Sequence, residues 1–110
     1  MTGNEYQSLA ARTIDWELNE VQIEHHALHG MVGELGELHS TYQKIYQGHG
    51  INEEHQKKEC GDILWFLAEY CTAKGWKLED VMQTNIEKLI DRYPNGFEAA
   101  KSLHRKEGDI

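Results

Sequence analysis

Apolar side chains recur at steps of three or four residues along most of the chain, which is the spacing of one face of an α-helix. No stretch alternates apolar and polar residues in the manner of a half-buried strand. The pattern therefore predicts an all-α protein. The clearest stripes contain Leu28, Met31, Leu35, Leu38, Tyr42 and Ile45; then Ile63, Phe66, Leu67, Tyr70 and Cys71; and finally Leu78, Val81, Met82, Ile86, Leu89, Ile90 and Tyr93.

Residues that begin or end helices separate these stripes. Asn52 precedes two glutamates and is a credible N-cap, because its side chain can accept a hydrogen bond from the first turn. Gly75 stands where a helix commonly ends, and Pro94, the single proline, closes the last stripe. We therefore predict four helices, over residues of about 4–20, 25–46, 53–74 and 78–93.

Three glycines, Gly30, Gly33 and Gly36, fall inside the second predicted helix. Each is less favourable than alanine in a helix by about 1 kcal/mol, so a loop over residues 29–36 is the alternative. The apolar stripe that crosses this stretch favours the helix. In a helix, these glycines would permit the close approach of a neighbouring helix or of a ligand.

Charge and cysteine content narrow the class of protein. The 110 residues include 11 basic and 19 acidic side chains, a formal net charge of −8. This balance argues against binding to nucleic acid or to an anionic membrane surface. Cys60 and Cys71 would lie about 16 Å apart along one helix, too far for a disulfide. We see no secretory signal, and we expect a cytoplasmic protein.

Two pairs of carboxylates stand out on consecutive helices. Glu34 and Glu37 are three residues apart, as are Glu59 and Asp62, and this spacing places each pair on one helix face. Two antiparallel helices would bring the four acids together, and a hard divalent cation such as Mg²⁺ or Mn²⁺ would relieve their repulsion. Alternatively, Glu59 lies at the edge of its helix and reaches solvent or a lysine.

The fourth predicted helix carries side chains of the opposite kind. Asn85, Lys88 and Arg92 recur at steps of three and four, so they share one face. Beside an acidic metal site, such a face suits a polyphosphate. The alternative is a stripe of solvated surface charge.

The histidines His25, His26 and His29 form an H-H-x-x-H pattern without the glutamate of the zinc-protease signature. We therefore expect exposed or dimer-facing histidines rather than a zinc site.

Trp65 lies about 160° from the apolar stripe of its helix, which predicts that a partner subunit covers it.

The motifs in order resemble those of the MazG-like, all-α nucleoside triphosphate pyrophosphohydrolases. The resemblance is carried by Glu34-x-x-Glu37, 21 intervening residues, Glu59-x-x-Asp62, and then Asn85-x-x-Lys88-x-x-x-Arg92-Tyr-Pro. It implies a four-helix bundle-type domain over residues 1–97, followed by a polar C-terminal tail over residues 98–110. It also implies assembly into a homodimer or homotetramer.

The resemblance further implies a function. Members of this family hydrolyse a nucleoside triphosphate, with magnesium, to the monophosphate and pyrophosphate, and a nucleotide-pool housecleaning role follows. Glu34, Glu37, Glu59 and Asp62 would hold the metal, and Glu34 or Glu37 would also activate water. The substrate-binding residues would be Asn85, Lys88 and Arg92 for the phosphates and Trp16 for the base. Core packing or an oligomer interface is the alternative role of Trp16.

Two other functions remain compatible with this sequence. One is a non-catalytic helical module that binds a partner, with acids that only solvate it. The other is a sensor of divalent metal or nucleotide that has kept the site but lost turnover.

Overall fold

Five helices and no strand make up the chain in the computed structural model, which describes residues 1–110. The all-α prediction is therefore confirmed. None of the helices combines the length and the apolar character that crossing a membrane requires. The helices are α1 (Gly3–Ala11), α2 (Glu20–Ile45), α3 (Glu53–Lys74), α4 (Leu78–Arg92) and α5 (Ala99–Leu103).

The boundaries of α3 and α4 agree closely with the prediction, but the first helix is much shorter. It ends at Ala11 because side chains that follow form hydrogen bonds with the backbone, and these compete with the hydrogen bonds of a helix. The Thr13 hydroxyl donates to the carbonyl of Ala10 at 2.8 Å, and the Asp15 carboxylate accepts the N–H of Glu17 at 3.1 Å. The prediction of a helix to residue 20 was wrong.

The second helix begins five residues earlier than predicted. Asn19 and Gln22 form a reciprocal capping box, in which each side chain accepts the other residue's backbone N–H at 2.9 and 3.0 Å. The helix then continues through all three glycines to Ile45. The predicted helical conformation of the glycine-containing stretch is therefore confirmed.

The long helices α2 and α3 pack antiparallel. Contacts between them join His26 with Glu69 near one end and Thr41 with Gln56 near the other. Between these contacts, a Cβ atom on Gly30 would fall less than 3.0 Å from the Phe66 ring. Gly30 therefore permits the two helices to approach closely, which brings their facing side chains into range of one another.

Helix α1 packs across α3 and covers part of it. The indole N–H of Trp65 donates to the Thr13 hydroxyl at 2.8 Å and lies 3.3 Å from the Ala10 carbonyl oxygen. Residues at the end of α1 and just after it thus contact Trp65, which is half-buried within one chain. The expectation that a single chain would leave this side chain exposed was wrong, because the sequence does not show that α1 folds back onto α3.

Helix α4 starts on side chains that α1 supplies. Its own N-cap residue, Lys77, makes no side-chain capping bond. Instead, the Gln7 side-chain oxygen accepts the N–H of Leu78 at 2.7 Å, and the Asn4 side-chain oxygen accepts the N–H of Glu79 at 3.1 Å. The first and fourth helices are therefore joined through the backbone of α4.

The C-terminal segment, residues 98–110, folds back onto the end of α4. Asp109 forms an ion pair with Arg92, and Lys106 forms a second, longer pair with Asp91. The Arg92–Asp109 pair holds the predicted polar tail against the helix.

Candidate functional site

Three of the four predicted metal-binding carboxylates meet at one point between α2 and α3. One oxygen atom from each of Glu34, Glu59 and Asp62 lies within 4.8 Å of the other two. We call these three residues the carboxylate cluster. The antiparallel packing of the two helices positions them, since α2 supplies the first and α3 the other two. Glu37 lies one helical turn beyond Glu34 and is exposed.

Glu59 is the buried member of the carboxylate cluster, with 7% of its surface exposed. Its Oε1 lies 3.6 Å from Nε2 of His55, but its Oε2 is buried without a hydrogen-bond partner. A buried carboxylate oxygen without a partner is unfavourable, and a bound cation would satisfy it. The donor set contains only oxygen atoms, which fits Mg²⁺ or Mn²⁺ better than zinc.

The electrostatics of Glu34 indicate the same conflict between like charges. Hydrogen bonding of its protonated form to Glu59 raises the pKa of Glu34 from 4.5 to about 7. Partial burial and the negative charges of Glu37, Glu59 and Asp62 raise it further. Glu34 therefore holds a proton near neutral pH unless a cation neutralises its neighbours.

Two of the predicted phosphate-binding residues, Asn85 and Lys88, lie together on α4. Both are exposed and line an open cavity of about 540 Å³ beside Trp76. Neither forms a hydrogen bond or ion pair with the carboxylate cluster. The two residues share one helix face, as predicted. Within a single chain, however, they do not reach the carboxylate cluster.

Tyr6 of α1 lies near both the carboxylate cluster and Asn85, and the sequence pattern did not single it out. It lines a second cavity, of about 610 Å³, together with Asn85 and the apolar side chains Leu64 and Met82. Burial raises the pKa of the Tyr6 hydroxyl, and the negative charge of Asp62 raises it further. Tyr6 therefore lies between the carboxylate cluster and α4. The only sequence signal was an aromatic residue one turn before Ala10 on the first helix.

Arg92 has a different environment from the other two predicted phosphate-binding residues. Its guanidinium donates two hydrogen bonds to the Asp109 carboxylate, at 2.8 Å from Nε and 2.7 Å from Nη2. This bond holds the pKa of Asp109 below its usual range. Arg92 is therefore engaged by the chain itself, which the sequence analysis did not predict.

Trp16, the predicted base-stacking residue, lies in the turns between α1 and α2 rather than on the first helix. Its indole N–H donates to the Ala11 carbonyl at 3.1 Å, and 60% of the residue is exposed. A ring this exposed is available to a ligand or to another subunit. Its role in stacking remains a prediction.

The three histidines do not form one site. His25 and His29 are exposed on α2, whereas the Nδ1 atom of His26 lies 2.7 Å from the carboxylate of Glu69. Glu69 is only 2% exposed, so His26 supplies the polar partner that this buried carboxylate requires. The sequence gives no sign of this pair, because its members are 43 residues apart.

An all-α chain that gathers carboxylates from two antiparallel helices at one point has the donor set that a divalent-cation site requires. The comparison with protein families gives the family. The family model of the MazG nucleotide pyrophosphohydrolase domain matches residues 22–97, which include the carboxylate cluster and α4. The chain therefore belongs to the MazG nucleotide pyrophosphohydrolase family.

One similar curated protein is the Gene 37 protein of Mycobacterium phage L5. It is 32% identical over 72 residues, which correspond to 61% of this chain and 63% of the phage protein. The matched region thus spans less than two thirds of that relative. No solved structure matches this chain significantly.

Proposed function

We propose that this chain hydrolyses a (deoxy)nucleoside triphosphate, in the presence of Mg²⁺, to the monophosphate and pyrophosphate. The observation that carries the proposal is the carboxylate cluster, with a buried and unpartnered oxygen on Glu59. The family match supports the same general class of reaction. Clearance of unwanted nucleotides is the physiological role that such an activity suggests.

Glu34, Glu59 and Asp62 would hold the metal, and Glu37 would join them from the next turn of α2. A bound divalent cation would polarise phosphoryl oxygens and lower the pKa of water. Glu34 or Glu37 would accept the proton of the attacking water. The water oxygen forms a bond to the α-phosphorus, the bond to the αβ-bridging oxygen breaks, and pyrophosphate leaves.

The substrate would extend from the carboxylate cluster towards α4. Asn85 and Lys88, which line one cavity, would bind phosphate oxygens, and Arg92 would join them. Trp16 would stack on the base, since an exposed indole offers a flat apolar face.

We also propose that the functional unit is a homodimer or a homotetramer. Only nine residues of the chain are buried, while Val32 on α2 and Ile90 on α4 are 72% and 61% exposed. The radius of gyration is 17.3 Å, against about 13 Å for a compact domain of this length. A mass of 12.7 kDa by light scattering at micromolar concentration would exclude this assembly.

The activity is tested by incubating the full chain with each ribo- and deoxyribonucleoside triphosphate plus Mg²⁺ and measuring pyrophosphate separately from phosphate. We expect pyrophosphate from at least one triphosphate. Glu37→Gln and Glu59→Gln should lower the rate by about 100-fold or more, with unchanged circular dichroism. Glu20→Gln is the matched control, because Glu20 belongs to a similarly spaced pair with Glu17, outside the carboxylate cluster.

Two results would contradict the proposal. The first is an unchanged rate in the Glu59→Gln variant, since no metal held by the carboxylate cluster would then be needed. The second is nucleotide binding without pyrophosphate release from any triphosphate, which would favour a sensor.

A further inference from the structure

The ion pair between Arg92 and Asp109 is unusual among those of this chain because both side chains are shielded. They are 9% and 8% exposed, and the guanidinium donates two hydrogen bonds to the carboxylate. The neighbouring pair of Lys106 and Asp91 is 74% and 63% exposed and spans 3.3 Å. The C-terminal segment is therefore held to α4 mainly through Asp109.

Asp109 lies among several positively charged side chains, in cavities that Asp91 and Glu107 also line. Lys88 lines the same cavity of about 310 Å³ as Asp109, and Arg92 and Arg105 line an adjoining one of about 130 Å³ with it. We call Lys88, Arg92 and Arg105 the cation cradle. Besides the hydrogen bond from Arg92, the charges of all three lower the pKa of Asp109. An ionised carboxylate thus occupies a place that three cations make favourable for an anion.

The backbone before Asp109 sets this position. Gly108 has a φ of +85°, a conformation that other residues rarely adopt, and the N–H of Asp109 donates to the Lys106 carbonyl at 3.1 Å. This turn presents the carboxylate to Arg92. The arrangement is therefore built by the chain rather than being a chance contact of a long side chain.

A guanidinium can present a planar pair of N–H donors to a carboxylate or to a phosphate group, and Asp109 occupies the pair formed by Nε and Nη2 of Arg92. Arg92 cannot give the same pair to both. We propose that the C-terminal segment is an internal competitor of the substrate, in which Asp109 occupies the cation cradle until a phosphate group of the ligand displaces it. This inference rests on the proposed function, because it takes the ligand to be a polyphosphate.

The competition predicts an affinity change that can be measured without turnover. If Asp109 leaves the cation cradle free for about one tenth of the time, its removal tightens anion binding about tenfold. The probe is inorganic pyrophosphate, titrated calorimetrically into the full chain in a buffer free of phosphate and sulfate. We expect Asp109→Asn to lower the Kd for pyrophosphate about tenfold. Glu98→Gln, which removes one negative charge from the same segment but lines neither cavity, should change it less than about twofold.

Hydrogen exchange of the unmodified chain gives a second measurement that does not depend on a variant. Saturating pyrophosphate should accelerate amide exchange in residues 98–110 relative to residues in α3. Unchanged exchange together with an equal Kd in Asp109→Asn would overturn the proposal, and so would the absence of pyrophosphate binding to both proteins.

The two proposals can fail separately. Triphosphate hydrolysis with no effect of Asp109→Asn on pyrophosphate affinity would refute only the competition. Tighter pyrophosphate binding in Asp109→Asn, without hydrolysis of any triphosphate, would refute only the proposed activity.

Discussion

Replacing Gly30 with alanine adds a methyl group where α2 packs against the Phe66 ring of α3. The new Cβ would fall less than 3.0 Å from three atoms of the Phe66 ring. That ring is also in contact with other aromatic groups, since its centroid lies 5.0 Å from that of Trp65 and 5.6 Å from that of His26. The methyl group can therefore be accommodated only by moving the ring or separating the helices.

Gly33 provides the matched comparison on the same helix. A Cβ there would meet no atom within 4 Å. In both positions, alanine is more favourable than glycine in a helix by about 1 kcal/mol. Overpacking at Gly30 opposes this gain by about 1–3 kcal/mol. We therefore expect Gly33→Ala to raise the free energy of unfolding by about 1 kcal/mol, and Gly30→Ala to leave it unchanged or lower it by up to about 2 kcal/mol.

The assay is urea unfolding, followed by circular dichroism at a fixed protein concentration. The difference between the two variants isolates the clash and should amount to about 1–3 kcal/mol. When both glycine substitutions are made in a Phe66→Ala background, this difference should disappear, because the clashing ring is then absent. Equal stabilisation by both glycine substitutions would refute the close approach of the two helices.

Other consequences concern charge, burial and capping. Because the pKa of Glu34 is raised to about 7, the folded chain binds this proton more tightly than the unfolded chain does. In EDTA its stability should therefore fall as the pH rises from about 4.5 to 7. Thermal unfolding of Glu34→Gln should lack this decrease. His26→Ala leaves the buried Glu69 carboxylate without its hydrogen bond, so urea unfolding should show a loss of about 1–3 kcal/mol. The exposed His25→Ala should change stability by less than about 0.5 kcal/mol. Asn19→Ala removes one half of a capping box and should lower the unfolding free energy by about 1 kcal/mol in the same assay.

Much of the helical architecture could be predicted from the sequence, because apolar periodicity and caps are local signals. Asn52 caps α3, and Gly75, with a φ of +74°, ends it where predicted. The first helix was predicted too long because no glycine or proline ends it. The short side chains of Thr13 and Asp15 end it through bonds to the backbone, which periodicity does not reveal.

The candidate site likewise has one part that the sequence could predict and one part that it could not. Two carboxylate pairs with three-residue spacing on consecutive helices predicted that Glu34 would face Glu59 and Asp62, because a helix fixes which residues share a face. The same pattern also predicted Glu37, which lies outside the carboxylate cluster. The partner of Arg92 could not be predicted. Asp109 reaches it only after the chain has reversed direction beyond α4, and nothing in the spacing of the two residues indicates that turn.

The caps that α1 gives to α4 have a consequence for the order in which the chain folds. Gln7 and Leu78 are 71 residues apart, and Asn4 and Glu79 are 75 apart, so the first turn of α4 is completed only when the two extremes of a long loop meet. Contacts of such high sequence separation form late, because the loop-closure entropy must be overcome first. A nascent chain would thus acquire the α2–α3 hairpin early. The helix that carries Lys88 would become stable only once α1 had docked.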